Sequence, residues 1–342
     1  MITVPGGYMK KDRILYLDIL KSIAIFMVVF MHCIEYPDTI GHFTWDVCVL
    51  MGSITKFCIP AFVMTSGIFM LDENRKLSIK KLYTKYILRF VIAYIFWAGL
   101  YALYSSELLF NVDITHIKKF VNNFIMGHFH LWYLWMIIGL YMCIPILRRI
   151  ASDRNTMIYF IVLTFFASSV VPFVDAVTGV DFLPIIDNKL FINISVYACM
   201  FMIGYYIYKY ILNSDANINR KSIIVILISV MATMFLTVFS KDLKTYFEDY
   251  MPLNILYGAA VFCLISKVNI SDRLNKIIVV ISNNSFGIYL SHVFVIYLYD
   301  NFMLISMNNA LESIIKTVIV FIVSFGISII LKKIPVAGKY IA

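Results

Sequence analysis

Apolar runs close to the length of a membrane-crossing helix recur along the chain, and no polar stretch between them is long enough to hold a soluble domain. Ten such runs can be read, at about 14–35, 47–70, 87–106, 128–147, 156–174, 191–211, 221–239, 251–267, 277–298 and 314–331. Crossing a hydrocarbon core takes about 20 predominantly apolar residues in a helix, which every run approaches. With no water in the core to satisfy backbone groups, helices are the natural solution for segments of this length. The expectation is an all-α, polytopic membrane helical bundle of about ten transmembrane helices. It forms a single integral-membrane domain over residues 1–342, with residues 1–10 a loose tail. The first run is too long, and lacks the small-residue cleavage site, for a removed signal peptide.

Charge orients the bundle. With the N-terminus inside, twenty-one of the 29 basic residues fall in inner segments, six in outer ones, and Lys21 and Lys56 within runs. The acidic residues lean the other way, six inside and thirteen outside, with Asp18 in a run. This is the positive-inside pattern, repeated at every turn. It predicts both termini in the cytoplasm of a bacterium and the protein in its cytoplasmic membrane. The formal charge of +9 is thereby explained by membrane topology rather than by nucleic-acid binding. Lipids are the expected surroundings.

The first run, RILYLDILKSIAIFMVVFMHCIE (residues 13–35), carries charge where a plain anchor would carry none. Lys21 and His32 are eleven residues apart, which places them within roughly 20° on one helical face and about 16 Å apart along it. Ionisable groups at membrane depth usually face a protein interior or a cavity. His32 and Glu35 are spaced i, i+3, so the carboxylate can orient the imidazole for proton transfer from a hydroxyl. A capping histidine fits the same residues.

Lys81, Lys85 and Arg89 repeat at i, i+4, i+8 and form a basic stripe on one helix face. The stripe suits anionic lipid headgroups or an anionic cofactor at the cytoplasmic mouth. His128 and His130 meet an aromatic cluster that includes Trp132. On one helix two such histidines point to different faces, so at most one should reach a cavity. Ser285, Tyr289 and His292, spaced 4 and 3, share a face and predict a polar network. The outer loop at 173–190 carries Asp175, Asp181 and Asp187. The six cysteines show no metal spacing and read as small hydrophobes. No phosphate-binding glycine loop, metal cluster or serine elbow stands out, so no metal is expected.

The stretch YLDILKSIAIFMVVFMH resembles the first span of the membrane acyltransferase-3 family, in which a basic residue, ten intervening residues and a histidine recur. Here they fall on Lys21 and His32, with lysine in a place where arginine is common. PAFVMTSG (60–67), HLWYLWMIIGLYMCIPIL (130–147) and NSFGIYLSH (284–292) are similar to further family segments, in order along the chain. The resemblance implies a stand-alone membrane O-acetyltransferase, moving an acyl group from cytoplasmic acetyl-CoA to a hydroxyl of an envelope glycan or lipid-linked sugar. His32 would be the base, assisted by Glu35, or would carry the acyl group transiently. Lys21, Lys81, Lys85 and Arg89 would bind the donor. His130, Trp132, Ser285, Tyr289 and His292 are candidates for acceptor contact or oxyanion stabilisation. Some relatives are described as exporters or transporters, so transport of a polysaccharide or small polar solute without covalent chemistry stays open. So does a purely structural membrane subunit. Acceptor sugar and oligomeric state are not legible in the sequence.

Overall fold

The computed structural model describes residues 13–108, 112–180, 189–212, 217–302 and 309–342, with the side chains of 189–193 left aside. The tail at 1–10 and the loop residues Asp181 and Asp187 lie outside that set. The described residues contain helices and no strand. The principal ones are α1 (Leu15–Cys33), α2 (Phe43–Thr55), α3 (Cys58–Leu71), α4 (Leu88–Ser105), α5 (Ile114–Met126), α6 (Trp132–Met142), α7 (Lys189–Tyr206), α8 (Ile218–Ser240), α9 (Pro252–Ile265), α10 (Asp272–Phe302) and α11 (Asn309–Lys332).

Eight helical segments among the described residues are long and apolar enough to cross a membrane. The protein is therefore an all-α polytopic membrane bundle. Two of the ten expected spans are not among the eight. One, α7, begins beside residues that are not described. The other, α9, has 14 residues, about 21 Å at 1.5 Å per residue, short of a 30 Å core. Two spans are broken: α2 gives way to α3 at Lys56–Phe57, and α5 to α6 around Gly127.

Helix α1 packs against α3, α10 and α11, so Asp18, Lys21 and His32 face protein rather than lipid. Asp18 is pinned there. Arg13 donates from Nε and Nη2 at 2.6 and 3.0 Å, and the Ser282 hydroxyl of α10 donates at 2.6 Å. A carboxylate at membrane depth is tolerable when every oxygen is answered in this way. Helices α3 and α7 touch backbone to backbone. A Cβ on Gly67 would overlap the Phe201 carbonyl oxygen, and one on Gly204 the Met64 carbonyl oxygen. Small residues permit such close approach where water supplies no driving force.

Candidate functional site

A cavity of about 270 Å³ runs along the face of α1 that carries both Lys21 and His32. Lys21, Arg89 and Ser285 contribute polar groups to its wall, as do His32, His130 and Trp132. Val28, Ile59, Phe62, Phe90 and Ile137 contribute apolar ones. Lys21, Arg89, Ser285 and Phe286 also line a second cavity of about 460 Å³, together with Arg13, Asp18 and Asn283. The two cavities share these four residues as a common wall, so they lie side by side along the N-terminal part of α1. The face-sharing of Lys21 and His32 follows directly from the eleven-residue spacing on an unbroken helix.

At the Lys21 end the cations are poorly matched by acids. The Asp18 carboxylate is taken by Arg13 and Ser282, and the Lys21 ammonium sits over the Phe69 ring, 5.0 Å from its centroid. Arg89 donates from Nη2 to a backbone oxygen of Ala342 at 3.1 Å, while its Nε is buried with no hydrogen-bond partner among the described residues. A buried donor left unpaired costs free energy unless a ligand answers it. Of the basic stripe, only Arg89 reaches the cavity. Lys81 and Lys85 are exposed. The reason is local: residues Leu82–Ile87 form a π-helical turn, so the i, i+4, i+8 register of a regular α-helix does not hold there.

At the other end, four imidazoles gather. His32 and His292 lie 5.2 Å apart between ring centroids, His130 and His292 5.4 Å, and His128 and His130 5.1 Å. On one regular helix His128 and His130 would point to different faces. Instead they leave the helix altogether. Asp113 caps α5 by accepting from the Thr115 and His116 amides, and α5 then stops at Gly127 with φ of +70°. That conformation is cheap only for glycine, and a Cβ there would also crowd the Tyr94 side chain. His128 follows in extended geometry, and Phe129–Leu131 form one 3₁₀ turn. The two Nδ1 atoms end 2.9 Å apart, and His128 Nε2 is 2.7 Å from the Tyr297 hydroxyl. The Tyr289 hydroxyl donates to the His130 backbone carbonyl, which fixes the turn against α10.

The expected His32–Glu35 contact is absent. Helix α1 ends at Cys33, and Ile34 is extended at φ −71°, ψ 121°. The i, i+3 register is lost, and Glu35 turns to α11. Its amide donates to the Ser313 hydroxyl oxygen at 3.0 Å, and its carboxylate accepts from Lys316 at 2.7 Å. Lys316 also holds Asp300 at 2.5 Å, which ties three helix ends together. His32 instead has Phe129 and His292 as ring neighbours.

Ser285, Tyr289, Trp132 and His130 all line the cavity. His292 does not; it is fully buried behind the wall. Lys56 was not among the expected site residues. The break between α2 and α3 buries its ammonium 3.7 Å from Met31 Sδ and 4.1 Å from the Phe247 ring centroid. It shares this region with Asp249, whose carboxyl accepts from the Tyr197 hydroxyl at 3.4 Å. Burial pushes the Asp249 carboxyl up to about 6, against the opposing pull of Lys56. A lysine at the end of an apolar run, followed by a proline four residues on, is the signal that marks such a break.

A family model described as an acyltransferase domain matches residues 14–333, nearly the whole chain. No match was found among curated proteins or among solved structures.

Proposed function

The chain belongs to the acyltransferase-3 family, and on that premise we propose that it moves an acetyl group from cytoplasmic acetyl-CoA to a hydroxyl of a glycan or lipid-linked sugar across the membrane. The single observation that carries the reading is the shared cavity wall, with Lys21 and Arg89 contributing cations and His32 and His130 contributing imidazoles. The charge distribution of the sequence puts the Lys21 end at the cytoplasm and the His32 end at the outer face. The phosphates of the donor fit the Arg13, Lys21 and Arg89 end, where Arg89 Nε has no hydrogen-bond partner among the described residues. The narrow pantetheine arm fits the apolar middle, and the thioester then lies near His32.

In this reading His32 takes the proton of the acceptor hydroxyl as its oxygen bonds to the thioester carbonyl carbon. The carbon–sulfur bond breaks, and His32 returns the proton to sulfur. A His130 Nε2–H would serve the developing oxyanion, since Nε2 is buried and makes no hydrogen bond of good geometry among the described residues. Trp132 offers an aromatic face for a sugar ring.

The test uses the protein in lipid nanodiscs with radiolabelled acetyl-CoA and envelope glycan extract. His32→Ala should abolish transfer while leaving acetyl-CoA binding intact. Arg89→Ala should raise KM for acetyl-CoA about tenfold, the worth of one charge-assisted hydrogen bond. Lys85→Ala should leave KM unchanged. Transfer that persists in His32→Ala would remove the base from the proposal. Solute flux through the wild type without acetyl transfer would favour the transport reading.

A further inference from the structure

His292 stands apart from the other imidazoles. It is fully buried, it does not line the cavity, and its two ring nitrogens have sharply different surroundings. Nδ1 lies 2.6 Å from the Tyr289 backbone carbonyl oxygen. A carbonyl can only accept, so Nδ1 must carry the hydrogen. In a neutral imidazole Nε2 is then a bare lone pair. That Nε2 is buried and has no hydrogen-bond partner among the described residues. An acceptor at membrane depth with nothing to accept from is costly; the neighbouring His32 ring lies 5.2 Å away between centroids, tilted by 38°, with no hydrogen bond yet formed between the two rings, and a turn of the His32 ring would bring its N–H to that nitrogen.

We infer that His292 is the positioning residue for His32, taking the part that the sequence suggests for Glu35. It acts through His32 and does not touch the substrate, and the inference rests on the acetyl-transfer reading. A neutral imidazole has one N–H. When His32 gives that hydrogen to the His292 lone pair, its opposite nitrogen is bare and free to act as a base on the cavity side. The wall of the cavity includes His32 but not His292, which fits this division.

The proton count closes. The bare nitrogen of His32 accepts the hydroxyl proton as the new carbon–oxygen bond forms. The resulting imidazolium keeps its second N–H directed at His292 Nε2. As the carbon–sulfur bond breaks, the newly acquired proton passes to sulfur and gives the free thiol. Both histidines end as they began. His292 itself never loses its Nδ1 hydrogen, because the Tyr289 carbonyl holds it throughout. The arrangement does the orienting work of the buried carboxylate in a catalytic triad without placing a second charge in a membrane interior, where charge is costly.

Two variants and a spectrum test this. His292→Phe keeps the ring volume and removes the acceptor. His292→Gln places an amide oxygen near the position of Nε2 and restores one. With the nanodisc enzyme and radiolabelled acetyl-CoA, His292→Phe should lower kcat about 100-fold, at the lower edge of what general-base catalysis contributes. KM for acetyl-CoA should be unchanged, and His292→Gln should recover at least tenfold of the loss. Nitrogen-15 spectra of histidine-labelled protein give the readout that a merely structural role would not move. The chain has six histidines, few enough to assign by single substitution. In the wild type His292 should be the Nδ1–H tautomer and His32 a single tautomer. In His292→Phe the His32 signals should divide between both tautomers. A His292 that carries its hydrogen on Nε2, or a His292→Phe kcat within twofold of wild type, would overturn the inference. Should the wild type transfer no acetyl group at all, the transfer reading fails, while the tautomer spectra still decide whether His292 orients His32. If His292→Phe does not fold, the wild-type and His292→Gln spectra make the same decision.

Discussion

Glu35→Gln separates two pictures of the site by several orders of magnitude. In the first, a carboxylate orients His32, and its conversion to an amide should cost about 10⁴ in kcat, as the equivalent change does in a serine-protease triad. In the second, Glu35 is one arm of a clamp on Lys316. The glutamine oxygen still accepts from Lys316, which sits 2.7 Å away, and Lys316 retains Asp300 at 2.5 Å. The Glu35 side chain is 37% exposed, so the lost charge is screened and costs about 0.5–1 kcal/mol. The expected result is a kcat within about threefold of wild type. Lys316→Met should behave differently. The Lys316 side chain is 4% exposed, and its removal leaves Glu35 and Asp300 as unneutralised like charges near one another. Breaking a buried pair costs about 3–5 kcal/mol, and access of these two carboxylates to water reduces that to about 2 kcal/mol. Thermal unfolding in nanodiscs, followed alongside acetyl transfer, reads both quantities. A Glu35→Gln enzyme with unaltered melting and a thousandfold lower kcat would refute the clamp and return the carboxylate to His32.

Gly67→Ala and Gly204→Ala should each destabilise by about 1–3 kcal/mol, because the added methyl meets a backbone carbonyl that cannot move aside as a side chain could; a lowered unfolding temperature checks it, and the α3 residues Ile59, Phe62 and Ser66 of the cavity wall should shift with the helix. Asp249 has its folded value raised to about 6 from an ordinary carboxyl value near 4. The unfolded chain therefore gives up this proton first as pH rises, and the group's contribution to stability falls between about pH 4 and pH 6 and is level on either side. Asp249→Asn should flatten that part of a melting-temperature profile in pH.

The bundle is legible in the sequence because lipid leaves a chain few options: apolar runs of the right length become helices, and basic residues mark the loops between them. The Lys21–His32 register is legible for the same reason, since α1 is regular from Leu15 to Cys33. What fails is spacing taken across a place where the helix stops being regular. Glu35 lies two residues beyond the end of α1. Lys81 and Lys85 lie at or within a π-helical turn, and His128 precedes, and His130 lies within, a 3₁₀ turn that follows a glycine of positive φ. Periodicity says which residues share a face only while the period lasts. Gly127 offered a hint of the last break. The partner that Glu35 finds, Lys316, is 281 residues away, and no local pattern announces it. His292 was visible as a buried polar position, but its tautomer depends on a carbonyl three residues earlier and could not be read from residue type.

The apolar middle of the cavity also bears on the membrane as an electrical barrier. A path with cations toward one face and imidazoles toward the other would short-circuit the proton gradient if a continuous thread of water filled it. Val28, Ile59, Phe62, Phe90 and Ile137 contribute hydrophobic surface to the wall, and a narrow hydrophobic stretch sheds water and blocks ions by dewetting. The same residues that would accept an extended pantetheine arm would then also keep water from threading the cavity. Replacing one of them with serine or asparagine should be judged by leak as well as by turnover, because a cell can lose membrane potential through an enzyme that still works.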